Sequence, residues 1–155
     1  MSKYASTTTG FTCTMNTTAA TAQQIICYNA GSAPIGVFRI YEWSCGPAGA
    51  SADTTYGLAA VRTTTGGTFT NAITPDPLDS KTGASLVLSK CTSSAAATPG
   101  VYLGQWGFHM RGGYRWVAIP GGELQVASAA NYGIALICTY AQGSDTMGFT
   151  VYFEE

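Results

Sequence analysis

The chain has 155 residues and a net charge of −1, and charged side chains make up only 10% of it against a typical ~25%. That length suits one domain, which buries roughly 70% of the surface its unfolded form exposes and needs no disulfide framework. The scattered charges form no basic patch for nucleic acid, and no run of roughly 18 apolar residues could cross a membrane as a helix.

Nineteen glycines, nine tyrosines, abundant Thr, Ser and Ala and few Glu, Lys or Arg predict many short strands joined by tight turns, an all-β class. A surface this poor in charge is weakly guarded against association, so the expectation is a protein built to be assembled. Met1–Thr9 has no apolar secretory segment, which implies synthesis in the cytoplasm. The five cysteines are odd in number and form no C-x-x-C pair; in that compartment they are expected to stay reduced, with Cys27 and Cys138 inside apolar strands.

In chain order, residues 1–9 are polar and lack a period, and read as a flexible arm whose one large side chain is Tyr4. Residues 10–155 read as a single β-sandwich domain. Phe11, Cys13 and Met15 alternate with threonines as a first strand, and Gln23–Tyr28 gives a second. Gly31–Pro34 turns the chain into Ile35–Ser44, where Phe38 and Ile40 suit a core and Arg39, Tyr41 and Trp43 alternate on the opposite side. Arg beside amphipathic aromatics is the composition of a protein interface, or else simply covers the sheet. Tyr56–Arg62 is a fourth strand. From Thr63 to Lys81 a double glycine and two prolines exclude regular structure, and a connection of that length inside a compact domain is usually functional.

Leu86–Leu88 marks a fifth strand, and Ser93–Gly100 a loop. Val101–Arg111 is a long strand, Gly112-Gly113 reads as a two-residue hairpin turn, and Tyr114–Ile119 returns antiparallel, placing Trp106 and Trp116 in neighbouring strands. Tyr132–Tyr140 carries apolar groups on both faces and therefore belongs in a sheet centre or under a cover. Gln142–Asp145 reads as a hairpin loop leading to the final strand, where Phe149, Val151 and Phe153 share one face. Eight or nine strands in one domain fit a two-sheet jelly roll.

Catalytic chemistry is hard to place. His109, the single histidine, has no cysteine or carboxylate in a short motif with it, and no nucleophile signature is present. Asp76 and Asp79 lack the spacing of a calcium loop and read as turn caps. No pair of carboxylates is nominated for glycoside hydrolysis and no phosphate loop occurs, so the expectation is a protein that is not an enzyme and carries no cofactor and no metal.

Thr65-Gly-Gly-Thr68, Pro75-Asp-Pro-Leu-Asp-Ser80, Ile119-Pro-Gly-Gly-Glu-Leu-Gln-Val126 and the terminal Phe149-Thr-Val-Tyr-Phe-Glu-Glu155 resemble stretches of small structural proteins of tailed bacteriophages, loosely over residues 60–155. The five cysteines and the Gly113-Tyr-Arg-Trp116 segment depart from them. The resemblance implies a decoration or cement protein, a β-rich subunit sitting as a homotrimer on the capsid surface and clamping the major capsid protein. Tyr4, Arg39, Tyr41, Trp43, Asp76 and Asp79 are then the candidate contact residues. The alternative is a head-fibre domain that recognises host glycans through exposed Tyr and Trp.

Overall fold

The protein is described from a computed structural model, which covers residues 1–8, 13–17, 23–29, 37–49, 53–65, 67–95, 97–126 and 129–155, without the side chains of 23 and 92–94. The first strand expected at Phe11, the turn at Gly31–Pro34 and the end of the arm at Thr9 lie outside those residues.

The strands are β1 (Lys3–Thr7), β2 (Cys13–Thr14), β3 (Gln23–Asn29), β4 (Phe38–Pro47), β5 (Thr55–Thr63), β6 (Thr68–Ile73), β7 (Asp76–Pro77), β8 (Val87–Ala95), β9 (Pro99–His109), β10 (Tyr114–Val117), β11 (Leu124–Val126), β12 (Gly133–Ala141) and β13 (Thr146–Glu154). They form two antiparallel sheets. One has the order β10-β4-β13-β1-β7, with β11 also on β4 and β2 also on β13; the other has the order β6-β8-β3-β12-β5-β9. Four pairings explain the winding: β1 with β13, β3 with β12, β4 with β10 and β5 with β9. The first half of the chain thus pairs with the second half in reverse order, and successive pairs fall alternately in the two sheets. That is a jelly roll, a long antiparallel hairpin rolled into a sandwich.

The inner faces interdigitate as one core. Met147, Phe149, Val151 and Phe153 alternate inward from β13, as their two-residue period requires, and meet Ile25, Cys27, Leu58, Ile134 and Leu136 of the other sheet. A void of about 10 Å³ is all that remains among Ile25, Trp43, Leu136 and Val151, close to one water-sized sphere. Strand β12 is central in its sheet, as its two apolar faces demand. A smaller cluster of Ile26, Tyr28, Val61, Ala97 and Ala135, with Phe69 and Ile137 against it, covers its outer face.

Four expectations are corrected. The polar start is not a flexible arm: Lys3–Thr7 pairs with β13 on one side and β7 on the other. Tyr4 is 3% exposed, stacks on Phe153 at 5.5 Å and donates to the Gly83 carbonyl. Its inward neighbours are Ser6, whose hydroxyl bonds that of Ser89 at 2.6 Å, and Thr8, whose hydroxyl accepts from the Phe149 N–H at 2.8 Å. Small hydroxyl residues satisfied inside the core leave no apolar period in the sequence, and the strand was invisible for that reason.

The second correction is the segment from Thr63 to Lys81, which contains β6 and β7. This excursion between β5 and β9 lets β8 extend one sheet beyond β3, and lets β7 close the edge of the other beside β1. Pro77 is tolerated because β7 is an edge strand. The third and fourth are the two expected hairpins. Strand β9 pairs with β5 and β10 pairs with β4, so Met110–Gly113 carries the chain from one sheet to the other. Gly113 has φ of 60°, and a Cβ there would meet the Cys45 carbonyl oxygen at 2.5 Å, so only glycine makes this crossing. Likewise Gln142–Asp145 links β12 to β13 across the sandwich. It is anchored by Asp145, which accepts from Thr54 and Tyr56 hydroxyls at 2.6 Å each.

Candidate interaction surface

The candidate contact residues do not gather at one place. A β-bulge in β4, where Trp43 faces Val151, Glu42 faces Tyr152 and Ile40 faces Phe153, inserts one extra residue between Ile40 and Trp43. The extra residue reverses the alternation: Phe38 and Ile40 point inward before it, Trp43 and Cys45 after it. Trp43 is therefore 0% exposed, which corrects the outer-face position that an unbroken period gives it. Tyr4 is core as well.

Arg39 and Tyr41 do share the outer face of the β4 sheet, each half-buried. Tyr41 packs near Tyr152 at 6.3 Å and under the Lys3 ammonium at 5.4 Å; Arg39 lies 3.5 Å from the Glu154 carboxylate. Arg115 donates to Glu42 at 2.7 Å beside them. Lys3 thus lies over a ring, and Arg39, Glu154, Arg115 and Glu42 form two ion pairs within the chain, while the Arg39 Nε is buried with no hydrogen-bond partner among the described residues. Asp76 is exposed on β7, at the far edge of the same sheet, and lies opposite Ala5 in the ladder with β1. Asp79 accepts from the Lys81 N–H at 3.0 Å, the turn cap expected of it.

The surface that the residue pattern did not nominate lies on the opposite flank, where β9 and β10 end their sheets side by side. Trp106 of β9 reaches Trp116 and Tyr114 of β10 at 6.0 and 6.3 Å, and Phe108 reaches Tyr114 at 6.0 Å. This half-buried aromatic row closes the side of the sandwich onto Trp43, 5.2 Å from Trp106. Trp106 and Trp116 do come together, across the two sheets rather than along one. The indole of Trp106 lies over Gly104, where a Cβ would meet it at 2.7 Å.

Outside the row the flank is bare. Strand β9 pairs with β5 alone among the described residues, leaving its outer backbone groups without a strand partner. Soluble proteins guard such an edge with charge or brevity. Here ten consecutive residues, Pro99–Phe108, carry no charge, and Val101 and Tyr102 are 64% and 59% exposed. Val117 and Ile119 continue the apolar strip on the β10 side. The sequence marks this strand only by the absence of Lys, Arg, Asp and Glu from ten residues, a mark that points to an open surface because β9 ends its sheet.

Between the start of β9 and β11 the flank holds a recess of about 250 Å³. Val126, Gly133 and Thr63 lie buried among its lining; Val101, Tyr132 and Arg62 are exposed at its rim. The Thr63 hydroxyl is buried with no hydrogen-bond partner among the described residues.

Groups capable of chemistry are engaged elsewhere. His109 Nε2 sits 2.8 Å from Asp53, while its Nδ1 accepts the Arg111 N–H, so both ring nitrogens serve to tie the β9 terminus. The five cysteines are buried, and none is in a disulfide. Burial pushes the thiols of Cys27 and Cys138 up to about 11 and that of Cys45 to about 12, where they are poor nucleophiles. No cluster of three His, Cys, Asp or Glu suited to a metal occurs among the described residues, and no helix among them is long and apolar enough to cross a membrane.

Comparison with protein-family models, with curated proteins and with solved structures finds no match to this chain.

Proposed function

We propose that the protein is a structural subunit of a tailed-phage virion: a decoration or cement protein, made in the host cytoplasm, that binds the outside of the major capsid shell as a homotrimer and stabilises it by adhesion. The observation that carries this reading is the uncharged free edge of β9 with its exposed Val101 and Tyr102. An extended segment of a neighbouring capsid protein can add to that edge through main-chain hydrogen bonds while apolar side chains are buried beside it. Each large apolar side chain so buried contributes roughly 1.5–3 kcal/mol. The jelly-roll sandwich, the low charge and the resemblance of the closing strands to phage structural proteins support the same reading.

The test is co-sedimentation with undecorated capsids. Lysine is the residue that guards natural edges, so Tyr102→Lys combined with Gln105→Lys should raise the half-saturating concentration at least tenfold. Equal half-saturation by the wild type and this variant would overturn the assignment to β9. A second reading, a head-fibre domain that binds host glycans, draws on the exposed rings of Tyr102, Tyr132 and Tyr140. A glycan-array signal lost on Tyr102→Ala would favour it over the capsid reading.

A further inference from the structure

Ile119 is 77% exposed, the most exposed of the large apolar side chains among the described residues. It stands at the start of a tight turn. Gly122 donates its N–H to the Ile119 carbonyl at 2.7 Å, Pro120 fixes the second position, and Gly121 takes φ of 83°, the geometry of a type II turn. Glu123 accepts the Gly121 N–H at 3.1 Å and braces it further. The turn therefore fixes the backbone beneath an apolar side chain held in water, and little backbone entropy remains to be lost when that side chain is buried.

The same flank holds the complement. The recess has Val126 on its inner wall, seven residues after Ile119 in sequence, and Val101 and Tyr132 at its rim; Arg62 is the one charged residue that lines it. Ile119 does not fill its own chain's recess, since it remains exposed. We propose that Ile119 of one copy seats in the recess of a second copy, between Val101 and Tyr132.

Two observations point to a second copy as the occupant. Knob and recess lie on one apolar strip, so the same surface provides both halves of the contact. The recess carries no carboxylate, and the one charged side chain beside the incoming Ile119 turn is that of Glu123, so the Arg62 guanidinium at the rim meets no like charge. The turn's only ionic group is in fact of opposite sign to Arg62. Knob and recess are different patches of that strip, so a contact made once to each neighbour is heterologous, and three such contacts around an axis close a ring. The inference deepens the homotrimer reading above and rests on it for ring order, though not for the contact itself.

The cysteine chemistry makes a clean test. Since the five native thiols are buried, an added surface thiol is the one that reacts. Ile119→Cys and Tyr132→Cys proteins are purified separately, checked for native circular dichroism and for one titratable thiol each, then mixed in equal amounts and oxidised mildly. The mixture should give a covalent heterodimer on non-reducing gels, and neither variant alone should cross-link. Absence of the heterodimer, with both thiols titratable, would overturn the proposal; so would equal cross-linking by Ile119→Cys alone. Ile119→Asp provides a second readout, expected to weaken self-association at least tenfold. If the heterodimer forms but the protein does not co-sediment with capsids, the contact stands and the capsid reading fails; capsid binding without the heterodimer gives the converse.

Discussion

At the residue scale, two kinds of buried group have measurable consequences. The Thr63 hydroxyl is fully buried and has no hydrogen-bond partner among the described residues, and leaving such a group unsatisfied costs about 1–3 kcal/mol. Valine has the same branched shape, and Thr63→Val should raise the unfolding free energy by about 1 kcal/mol in urea melts. A fall of that size would mean that the hydroxyl has a partner. The thiols act through pH. Cys27, Cys45 and Cys138 have an ordinary value near 9.0, raised to about 11, 12 and 11 in the folded chain. Between those limits the unfolded chain releases protons that the native state retains, so stability falls as pH rises. The contribution is whole below about pH 9 and is lost as pH climbs through about 11 to 12. Denaturant midpoints at pH 8 and pH 10.5 should differ in that direction, and by less in a Cys27→Ser, Cys138→Ser variant compared with itself.

At the element scale the decisive case is β1. Tyr4 fills core space against Phe153, and removing a large aromatic from such a site costs about 3–5 kcal/mol. Tyr4→Ala should lower stability by that amount, whereas Thr7→Ala, on the exposed side of the same strand, should change it by less than about 0.5 kcal/mol. Two equally small effects would be the behaviour of an untethered arm. This element also shows why some of the fold was legible and some was not. Strands whose inner residues are large and apolar, such as β13 with Met147, Phe149, Val151 and Phe153, announce themselves by period. Strand β1 buries Ser6 and Thr8 instead, and their hydroxyls find partners only after β13 and β8 have come together. The bulge at Tyr41 is a second example: a one-residue insertion leaves no local mark in the sequence, yet it moved Trp43 from the expected contact face into the core. Turn residues, too, were read correctly as turns but not for destination. Gly112-Gly113 and Gln142–Asp145 have hairpin chemistry, and which sheet the next strand joins is decided by long-range pairing with β4 and β1.

At the scale of the whole molecule, the two flanks of the sandwich differ in how they are finished. The β1–β7 side closes on itself: Glu155 accepts from Ser85 at 3.0 Å, β7 covers the edge and Asp79 caps its turn. The β9–β10 side leaves an uncharged edge, an aromatic row and a knob beside a recess. Composition had already implied a chain built for assembly, but the candidate residues drawn from the pattern fell on the finished face and in the core. The flank proposed for contact is set by which strands end the sheets, and no local pattern in the sequence marks that. The measurement that bears most directly on this account is a cryo-EM reconstruction of capsids incubated with the purified protein. The account predicts added density for three copies around an axis, with β9 turned toward the shell and Ile119 of each copy against its neighbour. Bare capsids at saturating protein, or bound copies with the β9–β10 flank facing solvent, would contradict it.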